Sequence, residues 1–133
     1  MNSANCLLLV EDDPDDVVLI RRAITSGGYD ALNIIVKRDG VELLAHLESH
    51  PQQPPKLLLL DLNLPRMNGR EVLKALHTQK LLCGVPIVVF TTSEDPEDRR
   101  SCMELGATAY ITKPESFRSM VQILSQMLER YIG

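Results

Sequence analysis

LLLLDLNLP, residues 57–65, sets an aspartate directly behind four leucines. The run lies between Pro55 and Pro65, is too short for a typical helix and shows no alternation, so it reads as a strand buried on both faces. Asp61 therefore stands at the carboxyl end of that strand. In an open parallel sheet the carboxyl ends form the crevice where ligands bind, and a buried carboxylate without a partner is costly. Asp61 is a candidate site residue on that ground.

Working outward, four more runs rich in Leu, Ile and Val read as strands: CLLLV at 6–10, LNIIVK at 32–37, IVVF at 87–90 and AYIT at 109–112. Between and after them, helical periodicity covers roughly 14–27, 40–49, 69–79, 95–105 and 116–131. Five strand–helix units in succession predict right-handed crossovers onto a parallel sheet with helices on both faces, a doubly wound α/β fold. Two helix starts carry their own signature. Asp13-Pro14-Asp15-Asp16 and Asp95-Pro96-Glu97-Asp98 each place an aspartate cap before a proline at the first helical position, with an acid at the third. Gly27-Gly28 and Gly106 punctuate helix ends, SHPQQPPK at 49–56 is a polar connection, and no internal repeat is present.

A length of 133 residues with 44% apolar and 24% charged positions fits one domain spanning 1–133, with little room for a second. The net charge of −4 and the lack of any Lys/Arg cluster longer than a pair argue against a nucleic-acid surface. Cys6, Cys83 and Cys102 are far apart and read as reduced, structural thiols. The opening MNSANC has no basic segment, and no apolar run approaches the roughly 20 residues that span a bilayer. The expectation is a cytoplasmic protein without membrane contact.

The first strand ends in EDD, so Glu11 and Asp12 reach the same edge as Asp61 if the first and third strands are neighbours. Two like charges about 5 Å apart cost about 3 kcal/mol at an effective dielectric near 20. Such a cluster takes up protons or binds a cation. All-oxygen ligands favour Mg²⁺, Mn²⁺ or Ca²⁺, and two carboxylates plus waters suit Mg²⁺ with a phosphate partner. Taken alone, Glu11-Asp12-Asp13 reads equally well as solvated acids at a helix start. The other strand ends shift the balance. The fourth finishes FTT, bringing the hydroxyl of Thr91, and the fifth is followed by KP, bringing the ammonium of Lys113. A carboxylate nucleophile beside a metal, with a hydroxyl and a lysine to hold equatorial oxygens, is what in-line phosphoryl transfer to an aspartate requires.

LLVEDDP, LLLLDLNLPRMNG, VPIVVFTTSED and GATAYITKP together resemble the signature segments of response-regulator receiver domains from two-component signalling, over essentially the whole chain. The resemblance implies a flavodoxin-like (βα)5 sandwich with strand order 2-1-3-4-5. It implies Asp61 as phosphoacceptor, with Glu11 and Asp12 as the acidic pair and the backbone carbonyl of Asn63 completing a Mg²⁺ site that also takes Mn²⁺. Thr91 matches the switch hydroxyl, Lys113 the phosphate-binding lysine, and Tyr110 the aromatic position that turns inward on activation. The implied partner is a sensor histidine kinase, and the implied chemistry is self-catalysed phosphorylation and dephosphorylation of the aspartate, outside conventional enzyme turnover. EDDPDDVVLIRRAI, DGVELLAHL and the lack of an output domain are similar to the short regulators paired with cyanobacterial and other bacterial phytochromes.

Some positions depart from the family pattern. Thr92 stands where Ala or Gly is common, and its branched side chain is expected to crowd an attacking water; Glu115 follows the Lys-Pro where many receivers carry Phe, which returns as Phe117. Two other classes fit poorly. A haloacid-dehalogenase-type phosphoaspartate enzyme needs a second Asp two residues after the first, where this chain has Asn63, and EDDPDD would repel the phosphate of a flavodoxin-type cofactor. A receiver-like module that works without phosphorylation remains the alternative. His46, His50 and His77 fall on the second and third helices and carry no assigned role.

On the last helix, Phe117, Met120, Val121, Ile123, Leu124, Met127, Leu128, Tyr131 and Ile132 gather into an arc of about 180°. Covering one sheet face needs less. The surplus, Ile123, Met127 and Met120 on one flank and Ile132 on the other, predicts a homodimer through the face of the fourth and fifth helices and the fifth strand, or a docking site for the kinase; a wide arc wrapped around its own core is the plainer reading.

Overall fold

Strands β1 (Cys6–Val10), β2 (Asn33–Lys37), β3 (Leu57–Leu60), β4 (Ile87–Thr91) and β5 (Ala109–Thr112) alternate with helices α1 (Pro14–Ser26), α2 (Gly40–Ser49), α3 (Gly69–Thr78), α4 (Pro96–Glu104) and α5 (Phe117–Tyr131). The computed structural model describes residues 5–133. All pairings are parallel and the order is β2-β1-β3-β4-β5, the flavodoxin-like arrangement expected from the sequence. β4 runs one residue further than its apolar run because Thr91 still pairs with Thr112.

The strands read as unbroken apolar runs because alternate residues enter two different cores. Leu8, Val10, Leu58, Leu60 and Val89 pack beneath α2 and α3, whereas Leu7, Leu9, Leu57, Leu59, Val88 and Phe90 pack beneath α1 and α5. A fully buried leucine contributes about 1.5–3 kcal/mol over an exposed one, so the three central strands dominate stability. The polar groups at the strand ends are held on that rigid slab.

Helix starts follow the caps in the sequence. The Asp13 and Asp95 carboxylates accept from the amides of Asp15 and Glu97, with proline at the first helical turn, and Asn68 and Glu71 form a reciprocal capping box on α3. α1 and α5 approach closely at Gly27, where a Cβ would come within 2.2 Å of Ser125 Oγ. That contact explains the width of the apolar arc on α5, which covers α1 as well as the sheet. Met120 and Met127, counted in the surplus of the arc, are buried with Leu124 and Leu128, in keeping with the plainer reading of an arc wrapped around its own core. The half-buried remainder is Val121, Ile123, Tyr131 and Ile132, with Phe117 exposed. Among the described residues no helix is long and apolar enough to cross a membrane.

Candidate functional site

The backbone ladder continues one residue past the strands and thereby aims the site residues. The amide of Asp61 donates to the Val10 carbonyl at 3.1 Å, that of Glu11 to Lys37 at 2.9 Å and that of Lys113 to Thr91 at 2.6 Å. Glu11, Asp61, Thr91 and Lys113 are thus fixed at the carboxyl edge by main-chain bonds before any side chain interacts.

The Lys113 ammonium is the centre of the site. It donates to Glu11 Oε1 at 2.7 Å, Asp16 Oδ2 at 2.8 Å and Asp61 Oδ2 at 3.3 Å. Its side chain is 7% exposed, and those of Glu11 and Asp61 are 3% and 8% exposed. Burial pushes the Glu11 carboxyl up to about 7, opposed by its hydrogen bond from Lys113 and reinforced by the Asp61 charge. Burial alone would depress the Lys113 pKa, but the hydrogen bonds to Asp16 and Glu11 and the surrounding negative charge outweigh it and hold the ammonium charged. Removing one partner from such a buried cluster leaves an uncompensated charge, worth about 3–5 kcal/mol.

Asp16 is not among the site residues the sequence suggests, where it reads only as an acid in a helical first turn. On α1 the buried residues are Ile20, Ala23 and Ile24. Extending that stripe back by one turn reaches position 16, so the residue facing the sheet edge is an aspartate. The signal was a polar residue continuing an apolar stripe.

Thr91 is fully buried, and its hydroxyl accepts from the Ser93 amide at 3.5 Å. The Tyr110 ring is already inward, 6% exposed, with its hydroxyl donating to the Ser93 carbonyl at 3.0 Å. Ser93 is secured from the other side as well: its hydroxyl donates to Asp98 Oδ2 at 2.5 Å, and Asp98 pairs with Arg70 of α3. Thr92 is exposed.

Asp12 and Asn63 lie exposed beside this cluster. The Asn63 amide donates to Asp61 Oδ1 at 3.3 Å, which turns that oxygen toward the loop after β3. Two further features shape this loop. A Cβ on Gly69 would stand 2.6 Å from the Asp61 carbonyl oxygen, so only glycine lets α3 begin so near the strand end. Arg66 adopts φ 62° and is held there by an ion pair to the buried Asp39 at 2.6 Å. Among the described residues no three His, Cys, Asp or Glu side chains stand arranged to hold a metal ion; Glu11, Asp16 and Asp61 converge on the ammonium. The donor chemistry beside it, carboxylate oxygens without histidine or thiolate, fits a hard divalent cation.

The sequence pattern described as the response regulator receiver domain matches residues 7–125. The chain is 34% identical to the probable methanogenesis regulatory protein FilR2 of Methanothrix harundinacea, over 96% of this chain and 83% of that protein. It is 33% identical to response regulator Rcp1 of Synechocystis sp., over 92% of this chain and 86% of that protein. The Mn²⁺-bound crystal structure of Rcp1 superposes with a TM-score of 0.83, covering 96% of this chain and 94% of that one. The phosphorylated cyanobacterial phytochrome response regulator RcpA gives 0.87 at 32% identity, covering 97% and 94%.

Proposed function

Since the chain belongs to the response regulator receiver domain family, we propose that it accepts a phosphoryl group from a sensor histidine kinase onto Asp61 in a Mg²⁺-dependent step and signals by altered protein contacts. The observation that carries this reading is the buried Lys113 ammonium 3.3 Å from Asp61 Oδ2 at the carboxyl edge of the sheet. In the transfer an Asp61 oxygen forms a bond to phosphorus as the bond from phosphorus to the donor imidazole nitrogen breaks, and the imidazole leaves. Lys113 and the Thr91 hydroxyl hold equatorial oxygens of the moving group. Asp12, Asp61 and the Asn63 carbonyl would hold the cation, with Glu11 behind them; when bound, Mg²⁺ supplies neutralisation of the charge gathered there. The Mn²⁺-bound relative supports a divalent ion at this edge and Mn²⁺ as a substitute.

The chain acts as a receiver domain in the cytoplasm, and a phytochrome is the kinase favoured by the likeness to RcpA. Output then runs through contacts, with a homodimer across the face of α4, β5 and α5. Edge strand β5 and half-buried Ile111 and Ile123 support that face.

Incubation with acetyl phosphate and Mg²⁺, followed by intact mass, tests the reading. A single phosphoryl gain in the wild type, absent in Asp61→Asn, is expected. Equal labelling of both proteins would refute Asp61, and no labelling of the wild type would favour a module that works without phosphorylation.

A further inference from the structure

We propose that Asp16 is a positioning residue that draws the Lys113 ammonium off the phosphoacceptor. This rests on the reading of Asp61 as the nucleophile. The ammonium has three donors and three carboxylate partners, so its donor capacity is filled. The three bonds are unequal: Asp16 and Glu11 hold the nitrogen at 2.8 and 2.7 Å, and Asp61 is left at 3.3 Å. Asp16 reaches in from α1 and Glu11 from the end of β1, whereas Asp61 comes from β3, so the pull of the first two acts away from the nucleophile. Two consequences follow. Asp61 keeps an oxygen only loosely paired, ready to attack, and the weakest of the three bonds is the one exchanged when an incoming phosphoryl oxygen needs a donor. The side chains of Glu11 and Lys113 are almost fully enclosed and that of Asp16 is 30% exposed, which makes it the one partner of the pair that can be altered at the rim.

Without Asp16 the ammonium is shared between Glu11 and Asp61 alone and settles onto the nucleophile. The rate of labelling by acetyl phosphate at saturating Mg²⁺ is then expected to fall about tenfold in Asp16→Ala, with Asp16→Asn recovering part of it because the amide oxygen still accepts. The Mg²⁺ concentration for half-maximal rate should stay within about twofold, since the role is not that of a metal ligand. The decisive arm is a double-mutant cycle: in a Lys113→Arg background, Asp16→Ala should alter the rate by less than about twofold, because its effect passes through the lysine. A like fall in both backgrounds, an unchanged rate in the wild-type background, or a displaced Mg²⁺ dependence would each overturn the proposal. Failure of the wild type to label would sink the reading of Asp61 instead. For that case a second measurement needs no phosphoryl group: the Lys113 ammonium proton signal, slow to exchange in the wild type, should broaden in Asp16→Asn, and an identical signal in both proteins refutes the positioning role.

Discussion

The hydroxyl of Tyr110 donates to the backbone carbonyl of Ser93 while the amide of the same Ser93 donates to the hydroxyl of Thr91. One residue therefore joins the two side chains. If the Thr91 hydroxyl turns to a phosphoryl group on Asp61, the Ser93 amide loses its acceptor, and the loop that holds Tyr110 must readjust. Thr91→Ala is expected to keep labelling of Asp61 largely intact while weakening phosphate-dependent assembly or partner binding, read by sedimentation with and without acetyl phosphate. Tyr110→Phe should cost about 1 kcal/mol of stability in urea titration, the worth of one buried hydrogen bond. The ring is inward in this structure, so activation cannot be scored from ring burial alone.

Glu11 makes stability and metal binding depend on pH. Its pKa is raised from 4.5 to about 7 in the folded protein, so the folded state binds this proton more tightly than the unfolded chain. The resulting stabilisation is full below the unfolded pKa and is lost as pH rises through about 7. The urea midpoint is expected to fall between about pH 5 and pH 7.5, and Glu11→Gln should flatten that slope. Mg²⁺ affinity should rise over the same window, because the cation competes with the proton.

Gly69→Ala places a methyl against the Asp61 carbonyl oxygen and the Leu62 Cα, main chain that cannot turn aside, as well as against the Leu62 side chain. A cost of about 1–3 kcal/mol is expected from thermal or urea unfolding, together with slower labelling of Asp61, whose carbonyl must move. Gly84→Ala is the control. It meets open space at φ 82°, so it carries backbone strain alone and should leave the labelling rate unchanged.

The dimer is best tested at Ile123, since Met127 is 4% exposed and a charge there would attack the core instead. Ile123→Glu is expected to shift the sedimentation of the phosphorylated protein to that of a monomer, with a smaller loss of thermal stability than Met127→Glu, because Ile123 is only half-buried. A wild type that is monomeric at tens of micromolar, phosphorylated or not, removes the dimer.

The strands were legible because burial on both faces leaves no polar position in LLLL or IVVF, and the strand-end residues followed from the sheet's polarity. Asp61, Glu11 and Lys113 came together as their strand positions required. Asp16 was hidden because an acid in a first helical turn has a sufficient local explanation in capping and dipole effects. The burial of Met120 and Met127 was legible only in part, for a different reason. A helical wheel gives direction but not depth, and the nearness of α1 at Gly27 is a tertiary fact. The Ser93 hub was equally out of reach, since its partners Thr91, Asp98 and Tyr110 lie on three separate elements.

α4 contributes one buried residue, Cys102, whereas α2, α3 and α5 each contribute four. What fastens it is polar: Arg70 to Asp98 and Ser101, the Ser93 hydroxyl to Asp98, and Arg99 to the Tyr110 carbonyl. Such contacts weaken with salt, and opening them uncovers less of the core than lifting α2, α3 or α5 would. The helix beside Thr91 and Tyr110 is thus a hinged cover on a rigid body, and its amides should exchange with solvent sooner than those of any other helix.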